Sequence, residues 1–422
     1  MTANDRALVA ATLSEEGAAE SLKRYTHGTH RTCAPEDTLT RLRPLLARMG
    51  ITRIANVTGL DRVGIPVVMV VRPQARSVAV SQGKGLTLAA AKASGVMEAA
   101  ELWHAEHITT PLKLASWEEM RGEHRVADPD RLARAARGVF EPSLALLWTE
   151  GLDLMSGEPV WVPFELVSSN FTLPLPAGSG CFQASTNGLA SGNHPLEAIC
   201  HGLCEVVERD AATLWWLSGD ARDRRAVNPA SVTDPDCRRL LDRLAAADLV
   251  VRIWETTSDV GVASFCCLVA ETSGEFADPE FGNGCHPTRE VALLRALTEA
   301  AQARVTFISG SRDDFPVHSW EPSFRRRRRG TLVDDLSSSH PPSVSFDSVP
   351  SFSAPSLADD LCWLLGRFRT IGIDEVIAVD LGKQALGLSV MRIVVPGLEG
   401  PNDQGSEYTP GLRALRLTGV AS

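Results

Sequence analysis

Short apolar runs with strand character alternate along this chain with longer stretches whose apolar residues recur at helical spacing. The clearest helix begins at Pro195. Leu196, Ile199, Leu203, Val206 and Val207 fall on one side of it. Glu197, His201, Glu205 and Glu208 fall on the other, at steps of four, four and three. Residues 87–106 and 288–307 are two further Ala-rich helical stretches. Each of the three follows a strand-like run and a Gly-containing turn: Gly83-Lys84-Gly85, residues 188–192, and Gly282-Asn283-Gly284. The periodicity also predicts helices over 38–49, 130–137, 234–247 and 357–371. Strands are predicted over 51–57, 66–71, 77–81, 144–154, 160–167, 250–255, 263–270, 376–380 and 389–395. This is the pattern of a mixed α/β fold with β-sheets packed against helices.

The three main helices carry related chemistry. Ser94-x-x-x-Glu98-x-x-Glu101, Glu205-x-x-Glu208 and Glu299-x-x-Gln302 form a degenerate repeat, 13, 13 and 15 residues after the last Gly of each turn. One Glu-x-x-Glu pair is common on a solvated helix face. Like charges one turn apart cost a few tenths of a kcal/mol, which a bound cation would relieve. Three converging acid-lined helices would suit a divalent cation and a phosphate-bearing ligand. Arg209 and Arg304 are either phosphate partners or members of ion pairs. The loop from Lys23 to Arg31 is basic and hydroxyl-rich, and either meets phosphate or is solvated. Lys84 lies in Gly-Lys-Gly, but the spacing of a Walker loop is absent. Cys200, His201 and Cys204 do not complete a zinc set; the two cysteines read as core. His104, three residues after Glu101, is either a base or a packed residue.

Composition narrows the classes. The 422 residues are 44% hydrophobic and 22% charged, enough for a large core. A net charge of -10 argues against nucleic acid as the main partner. No apolar run predicts a membrane span. Residues 1–19 lack the apolar core of a secretion signal, and nine cysteines without a C-x-x-C pair suit a reducing cytoplasm. The expected organisation is an arm over 1–22, one catalytic domain over 23–412 and a tail over 413–422. Within the domain, residues 321–356 carry Arg325 to Arg329 and a Ser/Pro-rich tract, and are expected to form a poorly ordered insertion.

The stretches Ser94-Gly-Val-Met-Glu98-Ala-Ala-Glu101, Gly192-Asn193-x-x-x-Glu197-Ala198, Glu205-Val-Val-Glu208-Arg209-Asp210-Ala211 and Glu299-Ala-Ala-Gln302-Ala-Arg304, in this order, resemble the YcaO family. The resemblance covers roughly residues 23–412. It implies an ATP-using enzyme that activates a peptide backbone amide. It implies magnesium ligands at Glu98, Glu101, Glu205 and Glu208, with Glu197 alongside. It implies ATP contacts from Ser94, Asn193, Arg209 and Arg304, with Gln302 lining the same site and Lys23 or Arg31 adding a phosphate contact. One departure is Leu102, where the first motif often has Arg.

The tail lacks the Pro-x-Pro-x-Pro ending common in azoline-forming members. Gly28-Thr-His-Arg31, residues 57–66, Val80-Ser-Gln-Gly-Lys-Gly85, residues 97–106 and Ser311-Arg-Asp-Asp314 look like the members paired with TfuA proteins. That implies thioamide formation on a ribosomally made peptide or protein, with a TfuA-like partner and a sulfide donor. A homodimer is left open. An azoline-forming cyclodehydratase and a non-catalytic peptide-docking scaffold are the alternatives.

Overall fold

The computed structural model describes residues 21–136, 138–271, 279–312, 314, 321, 341–402 and 408–419. In chain order the elements are α1 (Pro35–Leu42), β1 (Arg53–Asn56), β2 (Val67–Val71), β3 (Val80–Lys84), α2 (Leu88–Glu106), β4 (Leu112–Ala115), α3 (Trp117–Glu123), β5 (Leu146–Asp153), β6 (Pro159–Pro163) and β7 (Leu189–Gly192). There follow α4 (Pro195–Leu217), α5 (Pro235–Ala246), β8 (Leu249–Glu255), β9 (Ser264–Glu271), β10 (Glu280–Cys285), α6 (Arg289–Ser309), α7 (Leu357–Thr370), β11 (Ile377–Asp380), β12 (Ser389–Val394) and α8 (Leu412–Thr418). Among the described residues, no helix is long and apolar enough to cross a membrane.

The strands form three antiparallel sheets, ordered β1-β2-β3, β10-β9-β8 and β4-β5-β11-β12-β7, with β6 also on β5. In each sheet an edge strand leads directly into a main helix: β3 into α2, β7 into α4, and β10 into α6. These helices are apolar on most of their circumference, which suits burial between layers. Thr87 Oγ1 accepts from Ala90 N at 3.1 Å to start α2. His194 Nδ1 accepts from Leu196 N at 3.2 Å to start α4, where Pro195 occupies the first turn.

Close backbone approach fixes the strand–helix pairs. A Cβ on Gly83 would stand 2.0 Å from Ala91 O, and one on Gly284 2.1 Å from Ala292 O. Gly83 therefore corresponds to Gly284. Each precedes its acid, Glu98 or Glu299, by fifteen residues, and Ala190 precedes Glu205 by the same interval. The equivalence thus runs through the strand, not through the last Gly of each turn.

Several boundaries differ from expectation. The helix expected over 38–49 begins at Pro35, a residue suited to a first turn, and tightens into a 3-10 turn at Arg43–Leu45. Pro44 lacks the N–H that would continue the ladder. The strand expected over 77–81 is Val80–Lys84, because Ser77 N and Oγ both donate to Glu106 Oε1. In place of a helix over 130–137 there is one 3-10 turn, Pro129–Arg131, after which Ala135 N donates to Cys181 O. Arg137 lies outside the described residues.

The expected arm is described only from Ser21, and Arg325 to Arg329 lie outside the described residues. The stretch read as an insertion is described at Glu321, which is exposed, and from 341 onward, where it is packed: Phe346 and Val349 are buried, and Phe352 stacks on Trp363 at 4.8 Å. The tail carries α8, whose Arg413 is buried against Asp210.

Candidate active site

The edge strands present outward N–H groups, and the acids of the three main helices accept them. Gln82 N on β3 donates to Glu98 Oε1 at 3.1 Å. Asn283 N on β10 donates to Glu299 Oε1 at 3.2 Å. In both cases the helix bonds the strand that leads into it. The second acid of a pair reaches the next unit. Ser191 on β7 donates its N–H and hydroxyl to Glu101 Oε1, at 2.8 and 2.6 Å. Cys285 N on β10 donates to Glu208 Oε2 at 2.9 Å. Gln302 closes the circuit, its Nε2 donating to Gln82 Oε1 on β3 at 3.1 Å. Lys84 on β3 adds an ion pair with Glu299 on α6. The three units are thus joined head to tail around one acid-lined centre.

Glu205 stands apart. At its equivalent strand position, Leu189 N donates to Thr186 O. Among the described residues Glu205 has no hydrogen-bond partner, and it is half-buried. Burial, with the charges of Glu98 and Glu205, pushes Glu101 up to about 8. Burial pushes Glu205 up to about 7, although Arg209 pulls it down. Glu98 and Glu208 are raised by burial as well. Glu299 moves the other way: burial would raise it, but Lys84 and Arg209 outweigh that.

The carboxylates of Glu98, Glu101, Glu205 and Glu208 are oxygen donors whose charge burial disfavours, and a hard cation would offset that. Among the described residues, no three His, Cys, Asp or Glu side chains form a group that could hold a metal ion on their own.

The remaining predicted residues fall in different places. Ser94 Oγ accepts from Lys84 N at 3.5 Å. Arg209 is half-buried and acts electrostatically on Glu205, Glu208 and Glu299. Glu197 accepts from the N–H and hydroxyl of Thr32 and from the N–H and Nδ2 of Asn193. Asn193 Oδ1 in turn accepts from Thr38 and Arg41. Both residues tie the N-terminal loop to the start of α4. Lys23 Nζ lies 2.7 Å from Asp360 Oδ2 in a buried pair, and Arg31 stands electrostatically close to His30, His201 and His286. Arg304 is spent on a buried pair, 2.9 Å from Asp61 Oδ2 and bonded also to Glu271. His104 is packed, its Nδ1 2.7 Å from Ala100 O. Cys200 and Cys204 are core residues, and Leu102 is buried.

Three residues of the site are not among the predicted ligands. Lys84 joins the site although its loop has no Walker spacing. Glu299, which the repeat already places on the third acid-lined helix, stands with the carboxylates. Arg295 donates to His201 at 3.2 Å, and Glu208, Glu299 and Glu205 all act on it. Its signal was the four-residue step from Arg295 to Glu299 on one helix face. Arg392 on β12 is a fourth, less legible case. It donates to Ser185 O, Asn187 O and Val167 O at 2.8–3.0 Å, and stands close enough to feel Glu205 and Glu101.

A family model described as YcaO cyclodehydratase, ATP- and Mg2+-binding, matches residues 82–399. A Rhizobium leguminosarum bv. trifolii protein, described as lying in the tfuA 3′ region, is 35% identical over 412 residues, covering 95% of this chain and 96% of its own. The structure of YcaO from Methanopyrus kandleri bound with AMPPCP and Mg2+ superposes with a TM-score of 0.68 at 26% identity, over 90% of this chain and 94% of that one. A heterocyclase in complex with substrate and cofactor shares the fold, with a TM-score of 0.73 at 23% identity, over 88% of this chain and 53% of that one.

Proposed function

Because the chain belongs to the YcaO family, we propose that it activates a peptide backbone amide with ATP and magnesium, and that the product is a thioamide. The observation that carries the thioamide reading is the relative in the tfuA 3′ region, matched over nearly the whole of both chains. A TfuA-type partner and a sulfide donor complete the proposed system. All nine cysteines are free, which suits the reducing cytoplasm proposed as its compartment.

Glu98, Glu101, Glu205, Glu208 and Glu299 would hold magnesium. Arg209 and Arg295 would meet phosphate oxygens, as guanidinium forks do. Ser94 and Gln302 line the same centre, while Glu197, Asn193, Lys23 and Arg31 bind or brace from the N-terminal side. Arg304 acts through packing in this reading. ATP supplies the phosphoryl group that turns a poor leaving oxygen into a good one. The amide oxygen would take the terminal phosphoryl group as ADP leaves, hydrosulfide would add to the carbon, and the oxygen would depart as phosphate. Loss of the S–H proton leaves C=S. The chain's own part is to gather the phosphates and neutralise their charge.

The test is peptide mass after incubation with ATP, magnesium, sulfide, the TfuA-type partner and a panel of synthetic peptides. Exchange of one oxygen for sulfur is the expected result. Loss of one water would favour azoline formation, a second reading kept because the matching family model is described as a cyclodehydratase. Absence of both ATP turnover and peptide change would favour the docking scaffold.

A further inference from the structure

Helix α4 leaves one narrow stripe accessible. Between Cys200 and Trp216 the half-buried positions are His201, Glu205, Arg209, Ala212 and Trp216, at steps of four, four, three and four. Every other residue in that span is buried. The stripe runs from the carboxylate centre to an aromatic shelf. Glu205 and Trp216 are eleven residues apart, about 16 Å along the helix axis.

The shelf is built against the β10-β9-β8 sheet. One face of that sheet, with Phe265, Cys267 and Val269, is buried under α5 and α6. The other carries Trp254, Cys266 and Leu268, and packs on Trp215. In the antiparallel ladder Phe281 pairs with Leu268 and Asn283 with Cys266, so both side chains share this second face. Trp216 meets Phe281 edge-on at 5.3 Å, and the guanidinium of Arg222 lies over Trp216 at 5.0 Å.

Two buried polar atoms here have no hydrogen-bond partner among the described residues: Trp215 Nε1 and Asn283 Oδ1. Trp215 is only 5% exposed. One atom is a donor and the other an acceptor. Leaving such groups unpaired is destabilising. A peptide backbone offers the complement, a carbonyl for the indole and an N–H for the amide oxygen. Backbone recognition of this kind leaves side chains free, while Trp216 and Phe281 supply an apolar contact for one of them.

We propose that the face formed by Trp216, Phe281 and Asn283, with Trp215 directly beneath it, is the docking surface for an extended segment of the substrate peptide. It leads that segment along Ala212 and Arg209 to Glu205. This rests on the peptide-modifying reading above. An extended chain rises about 3.3 Å per residue, so the stripe accommodates about five residues. The substrate contact is continuous with the phosphate-binding centre, as transfer to a backbone oxygen requires.

The test uses a library of N-acetylated, C-amidated random octapeptides. The whole protein is incubated with it in the presence of magnesium and a non-hydrolysable ATP analogue, and retained peptides are quantified by mass spectrometry. A second library is N-methylated throughout. Trp215→Phe keeps the ring and removes the donor; Trp216→Ala removes the shelf. Wild type should retain a subset of peptides, and each variant should retain at least tenfold less while binding the analogue with unchanged affinity. N-methylation should abolish retention. Retention that is equal in wild type and both variants, or no retention by a wild type that binds the analogue, overturns the docking surface alone. Failure of the wild type to bind the analogue removes the peptide-modifying reading, and the docking surface with it. Thermal melting identifies a misfolded variant, in which case Trp216→Leu, which keeps an apolar side chain and removes the aromatic shelf, is read instead against the same tenfold criterion.

Discussion

Ser191 on the edge strand of the six-stranded sheet gives both its N–H and its hydroxyl to Glu101, ninety residues earlier in the chain. The bond fastens the first strand–helix unit to the second. It also holds a carboxylate in place before any cation arrives. Ser191→Ala keeps the N–H and loses the hydroxyl. We expect a loss of about 1 kcal/mol of stability and a several-fold weaker affinity for magnesium-ATP. Chemical denaturation and calorimetry measure the two effects separately.

Glu205 should behave in the opposite way. It has no hydrogen-bond partner among the described residues, and burial, with the like charge of Glu208 added, disfavours its charged form more than Arg209 favours it. Glu205→Gln therefore removes a buried charge without breaking a hydrogen bond. Its melting temperature without ligand should equal or exceed that of wild type, and magnesium-ATP binding should be lost. A variant that melts well below wild type would show that Glu205 holds the fold.

The raised carboxylates set a pH dependence. Glu101 sits at about 8 and Glu205 at about 7, above the ordinary value of 4.5. With folded values raised, the stabilising contribution is fully present below about 4.5 and is lost as pH climbs through 7 to 8. Magnesium must displace those protons. Magnesium-ATP affinity should therefore rise between pH 6 and 8.5, with net proton release on binding. Calorimetry in buffers of different ionisation enthalpy reads this release, and flat affinity with no release would refute the shifts.

Arg304 and Arg295 separate structure from ligand binding. Arg304 is paired with Asp61 and Glu271 below the surface, and losing it leaves Asp61 without its cation and Glu271 with only Arg62, 3.6 Å away. Arg304→Met should cost about 3 kcal/mol and leave ATP affinity largely intact. Arg295→Met should lower ATP affinity at least tenfold. The reverse pattern in melting and binding experiments would exchange their roles.

Arg413 on the C-terminal helix donates to Asp210, the residue after Arg209, and pairs with Asp259. Asp210 also accepts from Glu399 N at 2.9 Å. Arg413→Met strands a fully buried carboxylate and should cost about 3 kcal/mol. Arg413→Lys should cost less. Thermal melting of the two variants ranks them.

The elements that position the site were legible because their residues carry the pattern openly. The step of three between Glu98 and Glu101, repeated at Glu205 and Glu208, marks one helix face wherever it occurs. Long-range partners were not legible. Nothing near Arg304 in the chain announces Asp61 or Glu271, and nothing near Lys84 announces Glu299. Such pairs are set by how the three units meet. Arg413 was hidden for the same reason, within a segment read as a tail. Local rules also misplaced the strand near Ser77, where a side chain from Glu106 occupies the backbone donor.

In the proposed site, acids from three helices gather one magnesium-ATP complex. Calorimetry of magnesium-ATP with wild type and Glu98→Gln/Glu205→Gln is the decisive measurement. Wild type should show saturable, magnesium-dependent binding and the folded double variant none. Equal binding by both would rule out a shared three-helix site.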